Sequence, residues 1–199
     1  MRWTSDALRS DEALLADFAR GDARAAEALT RRLAPRVLAH AARMLGDRAE
    51  AEDVTQEALL RLWHAAEEWE TGAAKVSTWL YRVTANLCID RIRRRRPQAP
   101  ETAAAEIPDA APGAVARMTD AARADALQAA LARLPDRQRQ AVVLRHIEGL
   151  GNPEIAAIMD IGVEAVESLV ARGKRALAAD LAPRKDALGY GGEDWDDRP

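Results

Sequence analysis

Between residues 97 and 116 the chain can neither continue a helix nor build a core. Pro97, Pro100, Pro108, Pro112 and Gly113 alternate there with alanines and acids. Each proline removes a backbone N–H and clashes with the preceding turn. The apolar bulk between them is too small to fold alone. The chain must therefore fold on either side of a tether, as two short units with modest cores, and 199 residues suffice for that. Strand formers are scarce, and alanine, leucine, arginine and glutamate dominate both flanks, which favours helix. The expected fold is all-α: two small helical domains, an N-terminal helical bundle and a C-terminal helix-turn-helix. Their bounds are 11–97 and 118–182, with a flexible linker over 98–117 and an acidic, disordered tail over 183–199.

Apolar spacing places the elements. Leu14, Leu15 and Phe18 predict a helix from Asp11 to about Gly21. Ala26, Leu29, Leu33, Val37, Ala41 and Leu45 recur near 3.6 residues and predict a second helix, Ala23 to Leu45, which Pro35 should kink or interrupt. A third runs from about Ala49 to Glu67 on Val54, Ala58 and Leu62, and Trp69-Glu70-Thr71-Gly72 reads as a loop. A fourth begins near Ser77, capped by Ser77 or Lys75-Val76. Trp79, Leu80, Val83, Leu87 and Ile92 face inward, and Pro97 closes it. Beyond the tether, Met118 to Leu134 is stopped by Pro135. Asp136 should then cap a helix from Arg137 to about Glu148, with Val142, Val143 and Ile147 inward. Asn152 should cap a short helix with Pro153 at its first position. Asp160-Ile161-Gly162 is a tight turn before the last helix, Val163 to about Leu181.

The formal net charge of −3 argues against a nucleic-acid partner until its distribution is read. From Val76 to Pro97, six arginines (Arg82, Arg91, Arg93, Arg94, Arg95, Arg96) stand against Asp90 alone, while five acids follow Lys185 against Arg198. The tail conceals a basic stripe. The stripe follows an aromatic entry, Trp79 and Tyr81. Aromatic rings stack on unpaired bases and arginines track a strand, so this pairing suits single-stranded DNA. The same pattern also fits a core tryptophan and a solvated charged face.

Asn152 to Leu177 has helix-turn-helix spacing. Ala156 is small where the second helix crosses, and Gly162 lets the chain turn. Ile155, Ile158, Ile161, Val166 and Val170 close a small core. The second helix exposes Glu164, Glu167, Ser168, Arg172, Lys174 and Arg175, as a helix in a major groove would. An ordinary helical hairpin would show the same spacing, and Glu167 stands where a cation would favour DNA. In the third helix, Leu60 sits outward among Asp53, Gln56, Glu57 and Arg61. An apolar residue among mixed charges suits a partner's surface, although a routine amphipathic helix can show it too.

These segments, in this order, resemble the extracytoplasmic-function sigma factors of bacterial RNA polymerase. Three stretches carry the resemblance. The first is Glu52-Asp53-Val54-Thr55-Gln56-Glu57 with Arg61-Leu62-Trp63. The second is Ser77-Thr78-Trp79-Leu80-Tyr81-Arg82-Val83-Thr84-Ala85-Asn86 with Asp90 and the arginines. The third is Leu134-Pro135-Asp136-Arg137-Gln138-Arg139 with Asn152-Pro153-Glu154-Ile155-Ala156 and Val166-Glu167-Ser168. The resemblance covers roughly 11–97 and 118–181. It implies that Asp53, Gln56, Glu57, Leu60 and Arg61 meet the beta-prime clamp of core RNA polymerase. It implies that Lys75, Thr78, Trp79, Arg82, Asn86, Arg91, Arg93 and Arg94 hold the opened minus-ten strand, with a flipped base pocketed by the loop from Trp69 to Lys75. Glu167, Ser168, Arg172, Lys174 and Arg175 would face the minus-thirty-five groove of promoter DNA, with the C-terminal domain near the beta flap. The tether would thread near the polymerase cleft. A cognate anti-sigma factor would hold the protein inactive. The family's recognition helix often carries basic residues where this chain has Glu167 and Leu169, which predicts an unusual promoter.

A second function fits part of this pattern: a sigma-like mimic that titrates an anti-sigma factor. Such mimics usually carry a receiver domain, and no strand–helix alternation is present here. A plain regulator using only the helix-turn-helix leaves the first ninety-odd residues unexplained. Neither a nucleophile with its base, nor a paired-carboxylate pocket, nor metal-ligand spacing among His40, His64, His146 and Cys88 points to an enzyme, metal or cofactor. The single cysteine excludes an internal disulfide and fits a reducing compartment. With no long apolar run and no leader pattern, the expectation is a cytoplasmic protein without membrane insertion.

Overall fold

The computed structural model describes residues 9–70, 72, 75–95, 120–185 and 188. Among these every regular element is helical: α1 Asp11–Ala19, α2 Ala23–Leu45, α3 Arg48–Ala65 and α4 Val76–Arg95, then α5 Asp120–Arg133, α6 Asp136–Val142, α7 Asn152–Met159 and α8 Val163–Leu181. The tether expected at 98–117 lies outside the described residues.

Capping side chains set the N-terminal boundaries. Ser10 accepts from the Ala13 N–H at 3.1 Å, Asp22 from Arg24 at 3.0 Å and Asp47 from Glu50 at 3.0 Å. Each satisfies an orphan donor of a first turn. Gly46 ends α2 in the left-handed region, φ 67°, and its N–H returns to Ala42 O. Pro35 does not interrupt α2, which is continuous from Ala23 to Leu45. Buried Leu29 and Leu33 before it and Val37 after it share one core, and Ala41 is buried in the next, offsetting the lost hydrogen bond. Ala25 is buried and Ala26 only half-buried, a one-residue shift of the expected stripe.

Two apolar clusters fill the N-terminal bundle. One gathers Leu14, Leu15, Leu29, Leu33, Val37, Leu62 and Leu80, with Phe18, Trp63, Trp69 and Trp79 packed at its edge. The other joins Met44, Val54, Cys88 and Ile92. In the C-terminal half, Leu131, Leu134, Val142 and Val143 tie α5 to α6.

Several local expectations are corrected. Pro135, not Asp136, precedes α6, and Asp136 is its first residue. Gly151 precedes α7, with Asn152 as first residue and Pro153 second. Glu154 reaches back to accept from the Gly151 N–H at 3.2 Å, so the side chain that satisfies this terminus is glutamate. In the α7–α8 turn the left-handed residue is Asp160, φ 54°, while Gly162 is extended. Aspartate tolerates that region better than other non-glycine residues. The helix predicted to reach Glu148 changes after Val142 into a π-turn, Val143–Ile147. Ala182–Arg184 forms a 3-10 turn and Leu188 is buried, its carbonyl accepting from Arg123 at 3.0 Å, so the tail expected from 183 begins as structure. Its residues 186, 187 and 189–199 lie outside those described.

The two halves pack against each other. The C-terminal end of α2 shows how. Its last four carbonyls, the orphans of any helix, all find donors: Ala42 O from Gly46 N, Arg43 O from Gln128 Nε2 at 3.1 Å, Met44 O from Arg139 Nη1 at 2.6 Å and Leu45 O from Arg95 Nη1 at 3.0 Å. Two of these donors belong to α5 and α6. Arg139 is buried and also donates to Ala132 O at 2.8 Å and Leu134 O at 3.3 Å. Its positive charge sits at the negative end of the α2 dipole.

Candidate polymerase and nucleic-acid interfaces

Along α3, Val54, Ala58 and Leu62 are buried while Leu60 is 48% exposed. Its neighbours at helical spacing, Asp53, Gln56 and Glu57, together with Arg61, rim an open groove of about 340 Å³. The far wall is α4: Leu87, Asp90, Arg91 and Arg94. Arg61 pairs with Glu57 at 2.9 Å, and Arg91 with Asp53 at 3.5 Å across the groove. The structure thus brings the residues predicted for the polymerase together with two of those predicted for DNA.

On α4, Arg82, Asn86, Arg93 and Arg94 are exposed, while Thr78, Trp79 and Arg91 are half-buried. Trp79 meets Trp69 edge-on at 5.7 Å, against the N-terminal core. Of the loop predicted to pocket a base, Thr71, Ala73 and Ala74 lie outside the described residues. Tyr81, read from the sequence as part of an aromatic entry, is only 3% exposed and sits in the C-terminal core with Leu144, Ile155 and Val166. Its hydroxyl donates to Glu148 at 2.6 Å. Burial, and then that hydrogen bond, raise the phenol's pKa. His40 meets the Tyr81 ring edge-on at 5.4 Å, and Arg36 lies over it at 5.7 Å. Both His40 ring nitrogens are buried without a hydrogen-bond partner, and desolvation lowers its pKa to about 4.

Two of the predicted minus-ten cations face acids of the other half. Lys75 Nζ lies 2.9 Å from Glu154, and Arg82 lies 3.7 Å from Asp160. The hydrogen bond to Glu154 raises the Lys75 pKa, and the same bond lowers that of Glu154. Tyr81, Gln128, Arg139, Glu148, Glu154 and Asp160 were not singled out from the sequence as an interface. The available signal was α4 itself: Tyr81 and Ala85 stand beside the Leu80, Val83 and Leu87 stripe, and a helix apolar beyond one stripe is covered on more than one side.

On α8, Glu164, Glu167, Ser168, Arg172, Lys174 and Arg175 are exposed, and Val163, its first residue, is 40% exposed. Glu167 accepts from Asn152 at 3.3 Å across the α7–α8 turn. Arg172 donates to Ser168 O at 3.2 Å. Gly173 lets α8 approach α6: a Cβ there would meet Val142 Cγ2 at 2.5 Å and Gln138 O at 3.3 Å. Among the described residues there is no group of three metal-ligating side chains, and no helix is long and apolar enough to cross a membrane.

The family model of sigma-70 region 2 matches residues 29–98, and that of sigma-70 region 4 matches 124–177. Among curated proteins, the chain is 37% identical to the ECF RNA polymerase sigma factor SigM of Mycobacterium tuberculosis, over 85% of this chain and 84% of that one. It is 34% identical to SigW of Bacillus subtilis, over 70% and 79%, and 36% identical to SigE of Mycolicibacterium smegmatis, over 77% of this chain but 60% of that one. Among solved structures it is similar to CnrH, determined with the cytosolic domain of CnrY: 29% identity, TM-score 0.67, covering 88% of this chain and 99% of CnrH. The fold is shared by the sigma factor RpoE of Bartonella quintana, determined with the anti-sigma factor NepR: 22% identity, TM-score 0.61, covering 77% and 94%. With its two regions matched in order and its likeness to SigM and SigW over more than two thirds of each chain, the chain belongs to the extracytoplasmic-function RNA polymerase sigma factors.

Proposed function

We propose that the chain binds core RNA polymerase through the α3–α4 groove and directs it to promoters. The N-terminal half grips the opened minus-ten strand, and α8 enters the minus-thirty-five major groove. The observation that supports this best is Leu60, a large exposed apolar side chain amid Asp53, Gln56, Glu57 and Arg61, beside the basic end of α4. An apolar centre with a charged rim is the anatomy of a protein–protein hot spot. The beta-prime clamp is its proposed occupant, with the beta flap nearer the C-terminal half. Lys75, Thr78, Trp79, Arg82, Asn86, Arg91, Arg93 and Arg94 are the proposed strand contacts. Glu167, Ser168, Arg172, Lys174 and Arg175 are the proposed groove contacts. The chain supplies binding and orientation, and the chemistry belongs to the polymerase. CnrH, at 29% identity, was determined with a partner's cytosolic domain, which supports a cognate anti-sigma factor as the restraint on this chain.

Reconstitution tests the reading. Core polymerase with the purified chain should give run-off transcripts from a subset of genomic fragments, and neither component alone should. No transcript from any fragment would reject it.

A further inference from the structure

The groove of α3 and α4 and the exposed face of α8 are absorbed by the reading above. The contact between α4 and the C-terminal half is not. Lys75 and Arg82 are seven residues apart, about 10 Å along the helix. Glu154 and Asp160, which meet them at 2.9 and 3.7 Å, are six apart at the two ends of α7, about 9 Å. Between them Tyr81 donates to Glu148 at 2.6 Å. Three acids thus lie against the cations and aromatic of α4, with the sign of charge that a strand's phosphates present.

We propose that Glu154 and Asp160 are an intramolecular stand-in for the promoter strand: they occupy the cations of α4 until single-stranded DNA displaces them, while Glu148 stays on Tyr81. The inference rests on α4 being a strand-binding helix. The grip is graded. The Lys75–Glu154 and Arg82–Asp160 pairs are largely exposed, with side chains 69% and 38%, then 50% and 83%, open to solvent. Such pairs are weak and screened by salt. The part-buried bond of Tyr81 to Glu148 and the buried bond of Arg139 to Met44 O hold the register. A strand arriving with several phosphates trades the exposed pairs for its own, whereas isolated phosphate ions do not.

The test uses the full chain and a fluorescein-labelled single-stranded DNA of random sequence, about 15 nucleotides long. The double variant Glu154→Gln, Asp160→Asn removes both charges. It keeps an acceptor for the Gly151 N–H and a residue tolerant of the left-handed turn. It should bind the DNA about threefold to tenfold more tightly than the natural chain, the range for releasing two exposed pairs. Adding Lys75→Ala and Arg82→Ala should abolish the gain. A charge control at exposed Glu27 and Asp125, changed to Gln and Asn, should leave affinity near its natural value. Equal binding by the natural chain and the double variant would overturn the inference while leaving strand binding intact, and so would an equal gain in the charge control. Absence of DNA binding by every form would overturn both the inference and the reading of α4 beneath it.

Discussion

Gly173→Ala sets two effects of opposite sign against each other. Within a helix, glycine to alanine is worth about 1 kcal/mol of added stability. Here the new Cβ would stand 2.5 Å from Val142 Cγ2 and 3.3 Å from Gln138 O. The first contact can be relieved only by rotating a buried valine, and the second is backbone. Overpacking of this kind costs about 1–3 kcal/mol. The net expectation is a loss of up to about 2 kcal/mol, with α8 pushed away from α6. Val142→Ala alone should also destabilise, by about 1–3 kcal/mol, through the cavity it leaves. Because its missing methyls are those the new Cβ meets, the double variant should lose less than the sum of the two, by at least about 0.5 kcal/mol. Urea titration of the four proteins, followed by circular dichroism, reads all of these. A Gly173→Ala chain about 1 kcal/mol more stable than the natural one, with strictly additive losses in the double variant, would refute the close α6–α8 approach.

Other consequences follow from named groups. Gln56→Ala with Glu57→Ala, and separately Leu60→Asp, should weaken binding to core polymerase at least about tenfold while leaving the thermal midpoint nearly unchanged, because all three side chains point outward; unchanged affinity in a binding titration would remove the groove assignment. His40 titrates near 4 when folded and near 6.5 when free, so the unfolded chain binds more protons between those values. Its contribution to stability is complete above about pH 6.5 and is lost as pH falls toward 4, by about 2 kcal/mol between pH 7 and 5; His40→Leu should flatten that slope in denaturant titrations at the two pH values. Cys88 is fully buried and its thiol is pushed up to about 12 by desolvation, so it should react with a thiol reagent only in denaturant, and rapid labelling of the native chain would contradict the packing of α4 on α2 and α3.

What could be read from the sequence was whatever depends on neighbours in the chain. The stripes Leu29–Leu33–Val37 and Val54–Ala58–Leu62 marked α2 and α3 because one buried face repeats at 3.6 residues. Leu60 and the α8 charges were legible as exposed because they break such stripes. Pro35 misled because its local cost is real, yet buried residues on both sides override it. The caps shifted by one residue at α6 and α7: Pro135 precedes α6 with no side-chain cap bond, and at α7 a returning glutamate side chain takes the part expected of Asn152. Asp160 rather than Gly162 takes the left-handed turn, a choice that propensity alone does not decide. The contact between the halves was hidden most completely. Tyr81, Glu148 and Arg139 meet partners 67 and 95 residues away, and no local pattern records where a second domain will lie.

The most direct test of the central claim is strand opening itself. Permanganate footprinting of a promoter fragment bound by core polymerase and this chain should reveal reactive, unpaired thymines near minus ten. That reactivity should fade when Arg82 and Asn86 are changed to alanine, although the assembled enzyme remains bound. A promoter complex that forms stably yet leaves those thymines paired, or opens equally well with both side chains removed, would contradict it.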